Sequence, residues 1–361
     1  MLSFLTSFLP TSYLLPGWLI LDMNPLIGLL QGLVGACGIS VLCSLFRVHL
    51  LIEESWKEKN NEGTSSGRSS SKPMRAKHGL FGMVQFLFVT GILAIVGSRV
   101  ASLVVLEFCL RAVSGLLTAG SETRKFLQQL LVQSQFSLGC AISCSLHFLH
   151  EGASQRWLCL LLAAALSWYL AKKAAALLHH VIALYKLHSS QRYCGICISL
   201  LTSGCYLQPM ICRTMTIAFF VAVLAAVSII NQQFLSATEA LRFWTPLTIC
   251  YTLLVVYMQE EQHRLPSSQV VLNAVVVRLG GLMVLMLTVG RWADVFHILM
   301  CFLGEASCLI PNMDLLDAAS SQVSRFLWRP LNWGRIPNVL IKLHPREKKN
   351  FLNFYPRRGT V

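Results

Sequence analysis

The sequence predicts an all-α, polytopic integral membrane bundle with about seven to nine transmembrane helices. The chain is 55% hydrophobic and only 13% charged, whereas about a quarter of the residues in a soluble domain are charged. Its mean hydropathy is +0.59. Several apolar runs along the chain are each about 20 residues long, which is the length that a helix needs to cross roughly 30 Å of hydrocarbon. We therefore expect lipid to surround most of the chain.

The first elements are an apolar lead-in and one clear span. Residues 1–24 are interrupted by Pro10 and Pro16 and have no basic start, so we expect an interfacial or re-entrant segment rather than a cleaved signal peptide. An additional span remains the alternative there. Residues 25–46 carry no charge and are expected to form the first transmembrane helix. Residues 47–79 are polar and rich in Ser and Gly, which predicts a flexible loop.

The middle of the chain contains one run that is too long for a single crossing. Residues 80–118 are apolar but are interrupted by Arg99, Glu107 and Arg111. This pattern predicts either two spans that reverse near Arg99 or one long helix. The next two runs, 130–150 and 157–178, are separated by a short polar segment, which predicts an antiparallel helical hairpin.

The last part of the membrane domain starts with an ambiguous run. Residues 194–211 contain Gly195, Gly204 and Pro209, which favours a marginal span or a half-helix. Stronger spans are expected at residues 214–230, 244–258, 270–290 and 292–310. The multi-pass domain should therefore comprise residues 25–311, and residues 312–361 should form a basic, disordered cytoplasmic tail.

The distribution of basic residues predicts the topology. Lys and Arg are concentrated in residues 47–77, 172–192 and 325–358, and in short loops they favour the cytoplasmic side. All three segments become cytoplasmic in a nine-span model in which residues 80–118 cross twice and residues 194–211 do not cross. That model has an outside amino terminus and an inside carboxy terminus. Seven or eight spans remain the alternatives.

Charged residues inside apolar runs are the candidate functional sites, because a charge at bilayer depth is costly unless it is paired or hydrated. They are Arg99, Glu107, Arg111, Arg278 and Glu305. Glu107 and Arg111 are four residues apart, so one helix face can carry both. Arg278 and Glu305 lie at similar distances from the turn between the last two runs, so a hairpin brings them to equal depth. We interpret these groups either as structural ion pairs or as an ion or proton pathway.

The first helix also carries a small-residue face. Gly28, Gly32 and Gly35 are spaced for close helix approach, and Gly28 to Gly32 is a GxxxG step. This face is a candidate for packing within the bundle, with a homodimer seam as the alternative, so a homo-oligomer stays open.

The partners that we expect are lipids. The bilayer is the main one, and the basic, aromatic tail is a candidate for binding anionic lipid headgroups. Nucleic acid is not expected, because the basic residues flank apolar runs instead of forming a groove. The sequence does not indicate which membrane holds the protein.

No motif points to covalent chemistry. The chain has no Walker loop, dinucleotide fingerprint or G-x-S-x-G elbow. The lone C-x-x-C at Cys194 and Cys197 supplies only half of a tetrahedral metal site. We therefore expect no cofactor, no metal site and no enzyme activity. The leading hypothesis is a non-enzymatic membrane protein. A small-solute or ion transporter is the first alternative, and an intramembrane enzyme is the second.

Four segments carry a resemblance to a known family. They are residues 96–108 (VGSRVASLVVLEF), 187–195 (LHSSQRYCG), 242–262 (beginning RFWTPLTICYTLL) and 287–292 (LTVGRW). These segments resemble vertebrate transmembrane protein 82, and the similarity extends over roughly residues 25–309. The resemblance implies a multi-pass membrane protein. Because the family is recognised by topology, it implies no catalytic or binding residues.

Overall fold

The computed structural model describes residues 25–61, 79–118, 123–153, 155–186, 195–232, 267–289 and 292–312, with individual positions between 237 and 248. The described residues belong to one compact unit, Met1–Gln322, whereas a second unit, Val323–Val361, lies outside them. The predicted tail and the lead-in at residues 1–24 also fall largely or wholly outside the described part of the chain.

Eight long helices occupy the described ranges, and the last one ends in a 3-10 turn at Ile310–Asn312. The helices are α1 (Pro25–Asn61), α2 (Gly79–Thr118), α3 (Thr123–Gln133), α4 (Gln135–Leu149), α5 (Arg156–Lys186), α6 (Gly195–Asn231), α7 (Ser267–Val289) and α8 (Trp292–Leu309).

Several of these helices have the length and composition of membrane spans. Five candidate spans lie in the described residues, at Pro25–Glu53, Phe81–Leu117, Arg156–Ala183, Leu207–Asn231 and Asp294–Asn312. Two shorter apolar helices are Gln135–Leu149 and Leu272–Val284. The predicted fold class, a polytopic helical membrane bundle, is confirmed.

The first helix is longer than the sequence predicted. α1 has 37 residues, or about 55 Å at 1.5 Å per residue, so residues 47–61 are helical where we expected the polar loop to begin. Val48, Leu50 and Leu51 are buried, and this packing continues the helix past Arg47. The rest of the predicted loop, residues 62–78, lies outside the described residues.

α2 contains a sharp break at Gly97. The backbone there has φ 69° and ψ 162°, a conformation that is readily available only to glycine. The segments on either side, residues 79–96 and 98–118, are each about 30 Å long. Each has the length of a single crossing.

Contacts with α8 give the direction of the first segment. Gln85 donates a hydrogen bond from Nε2 to the carbonyl oxygen of Ser307 at 2.8 Å. Arg99, just after the break, pairs with Asp294 near the start of α8 at 3.4 Å. The first segment of α2 therefore runs antiparallel to α8.

The second segment runs back again. Glu107 contacts Arg278 of α7, and the same guanidinium contacts Glu305 of α8. Glu305 lies two residues before Ser307, the contact of Gln85. Glu107 therefore lies at nearly the same depth in the bundle as Gln85, although Arg99, between them in the chain, lies at the other end of α8. The chain reverses at Gly97, two residues before the predicted position near Arg99. The two segments of α2 are therefore antiparallel to each other, as the nine-span model requires of residues 80–118.

The glycine face of α1 packs inside the bundle. Gly28 and Gly32 lie against the backbone of α2, where a Cβ on Gly32 would come within 2.6 Å of the Thr90 carbonyl oxygen. Gly35 lies against α4, with the Gly139 carbonyl oxygen 3.0 Å from an ideal Cβ. The alternative of a homodimer seam on this face is therefore wrong, because helices of the same chain already cover it.

Substituting Gly32 should separate α1 from α2. We expect Gly32→Ala to destabilise the protein by about 1–3 kcal/mol, because the new methyl group meets backbone atoms that cannot rotate away. The midpoint of thermal unfolding of the purified protein in detergent measures this effect. Gly91→Ala is the matched control, since nothing lies within 4 Å of its Cβ position. Equal midpoints for the two variants would contradict the close approach at Gly32.

Candidate functional site

Three charged side chains from three helices meet in the interior of the bundle. Arg278 of α7 lies between Glu107 of α2 and Glu305 of α8. Its Nε is 2.7 Å from Oε2 of Glu107. Its Nη2 donates to Oε1 and Oε2 of Glu305 at 2.7 and 2.6 Å. All three side chains are 1% exposed, so the charges close on each other, away from solvent and lipid.

A second arginine lies one helical turn further along α2. Nη1 of Arg111 donates to Oε1 of Gln133 at 2.6 Å, and its guanidinium carbon is 5.5 Å from the centroid of the Phe108 ring. Among the described side chains, no direct ion pair joins Arg111 to Glu107. The predicted pair within α2 is therefore replaced, because Glu107 is directed at Arg278 on another helix.

Counting Arg111, this charge cluster contains two carboxylates and two guanidinium groups, so its formal charge sums to zero. We use "charge cluster" below for Glu107, Arg111, Arg278 and Glu305. A set of charged groups whose charges sum to zero costs far less inside a membrane protein than the same groups apart. Its location at the contact of α2, α7 and α8 makes it a link among three helices.

Arg99 has a different environment. Its Nη2 is 3.4 Å from Oδ2 of Asp294, and the side chain is 39% exposed. The pair lies beside the break at Gly97, at one end of the bundle. Sequence reasoning did not pair these two residues, although both stand at the outer ends of their apolar runs in the nine-span model, and that shared position was the signal that could have found them.

Three hydrogen-bonded polar side chains at the opposite end of the bundle were also not predicted from the sequence. Nη2 of Arg47 in α1 donates to Oδ1 of Asn312 at 2.8 Å. Nδ2 of Asn312 donates to Oε1 of Gln135 in α4 at 2.7 Å. We call this region the Asn312 end. It was missed because Arg47 was assigned to a loop and Asn312 to the tail.

Metal ligands do not cluster in the part of the chain that the structure describes: no group of three or more His, Cys, Asp or Glu side chains there could hold a metal ion. The side chains of Cys194 and Cys197 lie outside this part. The cysteines near the charge cluster, Cys140 and Cys301, are buried and free.

Comparison with protein-family models matches residues 26–327 of the chain to Transmembrane protein 82. The chain belongs to this family. The resemblance carried by the four sequence segments is thereby confirmed, and so is the assignment as a multi-pass membrane protein. No solved structure matches the chain. The family description names a transmembrane protein and specifies no activity.

Proposed function

We propose that this chain is a non-enzymatic multi-pass membrane protein in which the charge cluster holds the helices in register. The observation that carries the proposal is the position of Arg278, whose guanidinium is shared by Glu107 on one side and Glu305 on the other at 2.6–2.7 Å. One side chain thus connects the second segment of α2 to the hairpin of α7 and α8.

The burial of these groups supports a structural role. An ion pathway requires charged groups that water or the ion can reach, whereas these three side chains are each 1% exposed. Buried ionic groups that satisfy one another specify which helices meet and at which depth, because any shift along the helix axis would leave a charge unpaired at high cost.

The same arrangement argues against acid–base chemistry at this site. A general base must lie within hydrogen-bond reach of a substrate proton. Both carboxylates are instead directed at one guanidinium, and the residue beside them, Arg111, is engaged with Gln133. The supporting evidence for a non-enzymatic protein is thus that both carboxylates face the same guanidinium.

A small-solute or ion transporter is the second candidate, and one observation favours it. Two carboxylates share a single guanidinium. Protonation of Glu107 or Glu305 would therefore break one of the two ion pairs of Arg278 and allow α2 and α8 to move apart. Switching of this kind is how intramembrane carboxylates couple proton binding to transport.

Proton flux into proteoliposomes separates the two candidates. We expect vesicles containing the full-length protein to acidify no faster than empty vesicles under a pH gradient, as reported by an entrapped pH dye. We expect Glu305→Gln to leave that background rate unchanged. The control is Glu347→Gln, which removes a carboxylate from the predicted tail. Flux through the wild-type protein that Glu305→Gln abolishes and Glu347→Gln preserves would overturn the structural proposal in favour of transport.

A further inference from the structure

A cavity of about 170 Å³ lies at the Asn312 end of the bundle, between α1, α2, α4, α5 and α8. Its polar lining includes Ser44, Arg47, Gln85, Gln135 and Asn312. The remaining wall is largely apolar and includes Ala36, Ile39, Phe86, Val89 and Leu178. The cavity therefore combines a polar end with an apolar wall, as a binding site for an amphiphile requires.

We expect the polar end of this cavity to lie at headgroup level. Arg47 follows the 22 uncharged residues 25–46 of α1, which span about 33 Å as a helix, close to the thickness of the hydrocarbon core. Ala36 lies 11 residues earlier on the same helix, about 16 Å deeper along its axis. The apolar wall thus extends from the headgroup region toward the centre of the bilayer.

The charge at this cavity is not balanced by the described residues. The structure shows one side-chain hydrogen bond from Arg47, to Asn312, and no carboxylate in the described part of the chain pairs with it. Arg278 and Arg99, in contrast, both contact carboxylates. An acidic group from outside the chain would supply a counter-ion that the described residues do not provide for Arg47, with the planar fork of the guanidinium suited to a carboxylate or a phosphate.

We propose that this cavity binds a single-chain lipid with an acidic headgroup, held at Arg47 and with its first methylene groups against Phe86 and Val89. The size is suitable, since an apolar cavity of about 150 Å³ takes up a ligand as large as benzene. The site therefore accommodates the headgroup and the start of the acyl chain, and the rest of the chain lies outside it. This site is separate from the charge cluster and does not depend on the function proposed for that cluster.

Thermal unfolding of the full-length protein in an uncharged detergent, with added lipids, tests the proposal. We expect oleate or oleoyl lysophosphatidate to raise the unfolding midpoint, with carboxylate and phosphate headgroups compared in separate arms. We expect 1-monoolein, which has the same acyl chain without a charge, and inorganic phosphate, which has the charge without a chain, to have no effect. High salt in every arm screens the exposed basic residues, including those of the tail.

Two variants identify the site. Arg47→Gln removes the charge while keeping a side chain that can bond to Asn312, and we expect it to weaken binding of the acidic lipid at least tenfold. Ser40→Phe leaves Arg47 intact but fills the cavity, which Ser40 also lines, and it should weaken binding similarly. Lys172→Gln, which removes an exposed cation from α5, is the matched control and should bind as the wild-type protein does.

Three results would overturn the proposal. Equal stabilisation by monoolein would make the cavity a purely apolar site, and equal stabilisation by inorganic phosphate would make it a simple anion site. Unchanged lipid affinity in Ser40→Phe would move the binding elsewhere on the protein, even if Arg47→Gln failed to fold. Flux through the charge cluster would bear on the proposed function and not on this site.

Discussion

Arg278→Met is expected to destabilise the protein by about 3–5 kcal/mol. The guanidinium lies between the carboxylates of Glu107 and Glu305, so its removal leaves two negative groups close together without a counter-ion on that helix. Arg111 remains one turn away but is bonded to Gln133. The unfolding midpoint of the purified protein in mild detergent, and the yield of monodisperse protein, measure the loss.

A compensated variant tests the cause of that loss. Replacing all four groups of the charge cluster, as Arg111→Met and Arg278→Met with Glu107→Leu and Glu305→Leu, removes both positive and both negative charges and should recover most of the stability, since buried ion clusters can be exchanged for apolar side chains with little net cost. If this fourfold variant were as unstable as Arg278→Met alone, uncompensated charge would not be the explanation.

The Arg99–Asp294 pair provides the comparison. Arg99→Met also removes an arginine from a carboxylate, but the Arg99 side chain is 39% exposed, whereas Asp294 is 7% exposed, and the two are 3.4 Å apart. Because water reaches and screens the guanidinium of Arg99, we expect a smaller loss of stability there than at Arg278. A loss at Arg99 as large as that at Arg278 would contradict the importance of burial.

Gly97→Ala is expected to cost about 1–3 kcal/mol. The reason is conformational, because φ at Gly97 is 69° and no atom lies within 4 Å of the position that a Cβ would take. The penalty therefore comes from the backbone of residue 97 itself. Since this residue reverses the chain between the two segments of α2, a larger side chain such as Val should be tolerated less well than Ala.

Gly280→Ala in α7 is the control for this substitution. It also has open space at its Cβ position, but it lies within a regular helix, where Ala is favoured over Gly by about 0.5–1 kcal/mol. We expect its unfolding midpoint to stay level or rise, measured under the same conditions. A Gly97→Ala protein as stable as Gly280→Ala would show that the reversal does not require the left-handed backbone.

The charge cluster shows how far the sequence could predict the site. Arg278 and Glu305 could be brought to equal depth because the rise per residue of a helix is constant and the turn between them was recognisable. The partner of Glu107 could not be found in the same way. The sequence offered Arg111 on the same helix, whereas the structure directs Glu107 to Arg278, a choice that depends on which helix packs beside α2.

The glycine face of α1 was likewise predicted only in part. The spacing of Gly28, Gly32 and Gly35 predicted a close approach to another helix, because small residues at that interval allow two backbones to meet. The spacing carried no information about the identity of that helix. Packing decided it, with α2 and α4 covering the face and leaving no place there for a second copy.

The sequence by itself determined the membrane class and the helical fold, because the hydrocarbon core imposes a length and an apolar composition that are readable locally. It did not determine every helix: the predicted runs 194–211 and 214–230 form the single helix α6, and the predicted run 130–150 divides between α3 and α4. Only the tertiary structure decided the extension of α1 to Asn61, the ion partners of Glu107 and Arg99, and the cavity beside Arg47. Each of these depends on contacts between residues far apart in the chain. Such contacts follow from the packing of whole helices and leave no local pattern in the sequence.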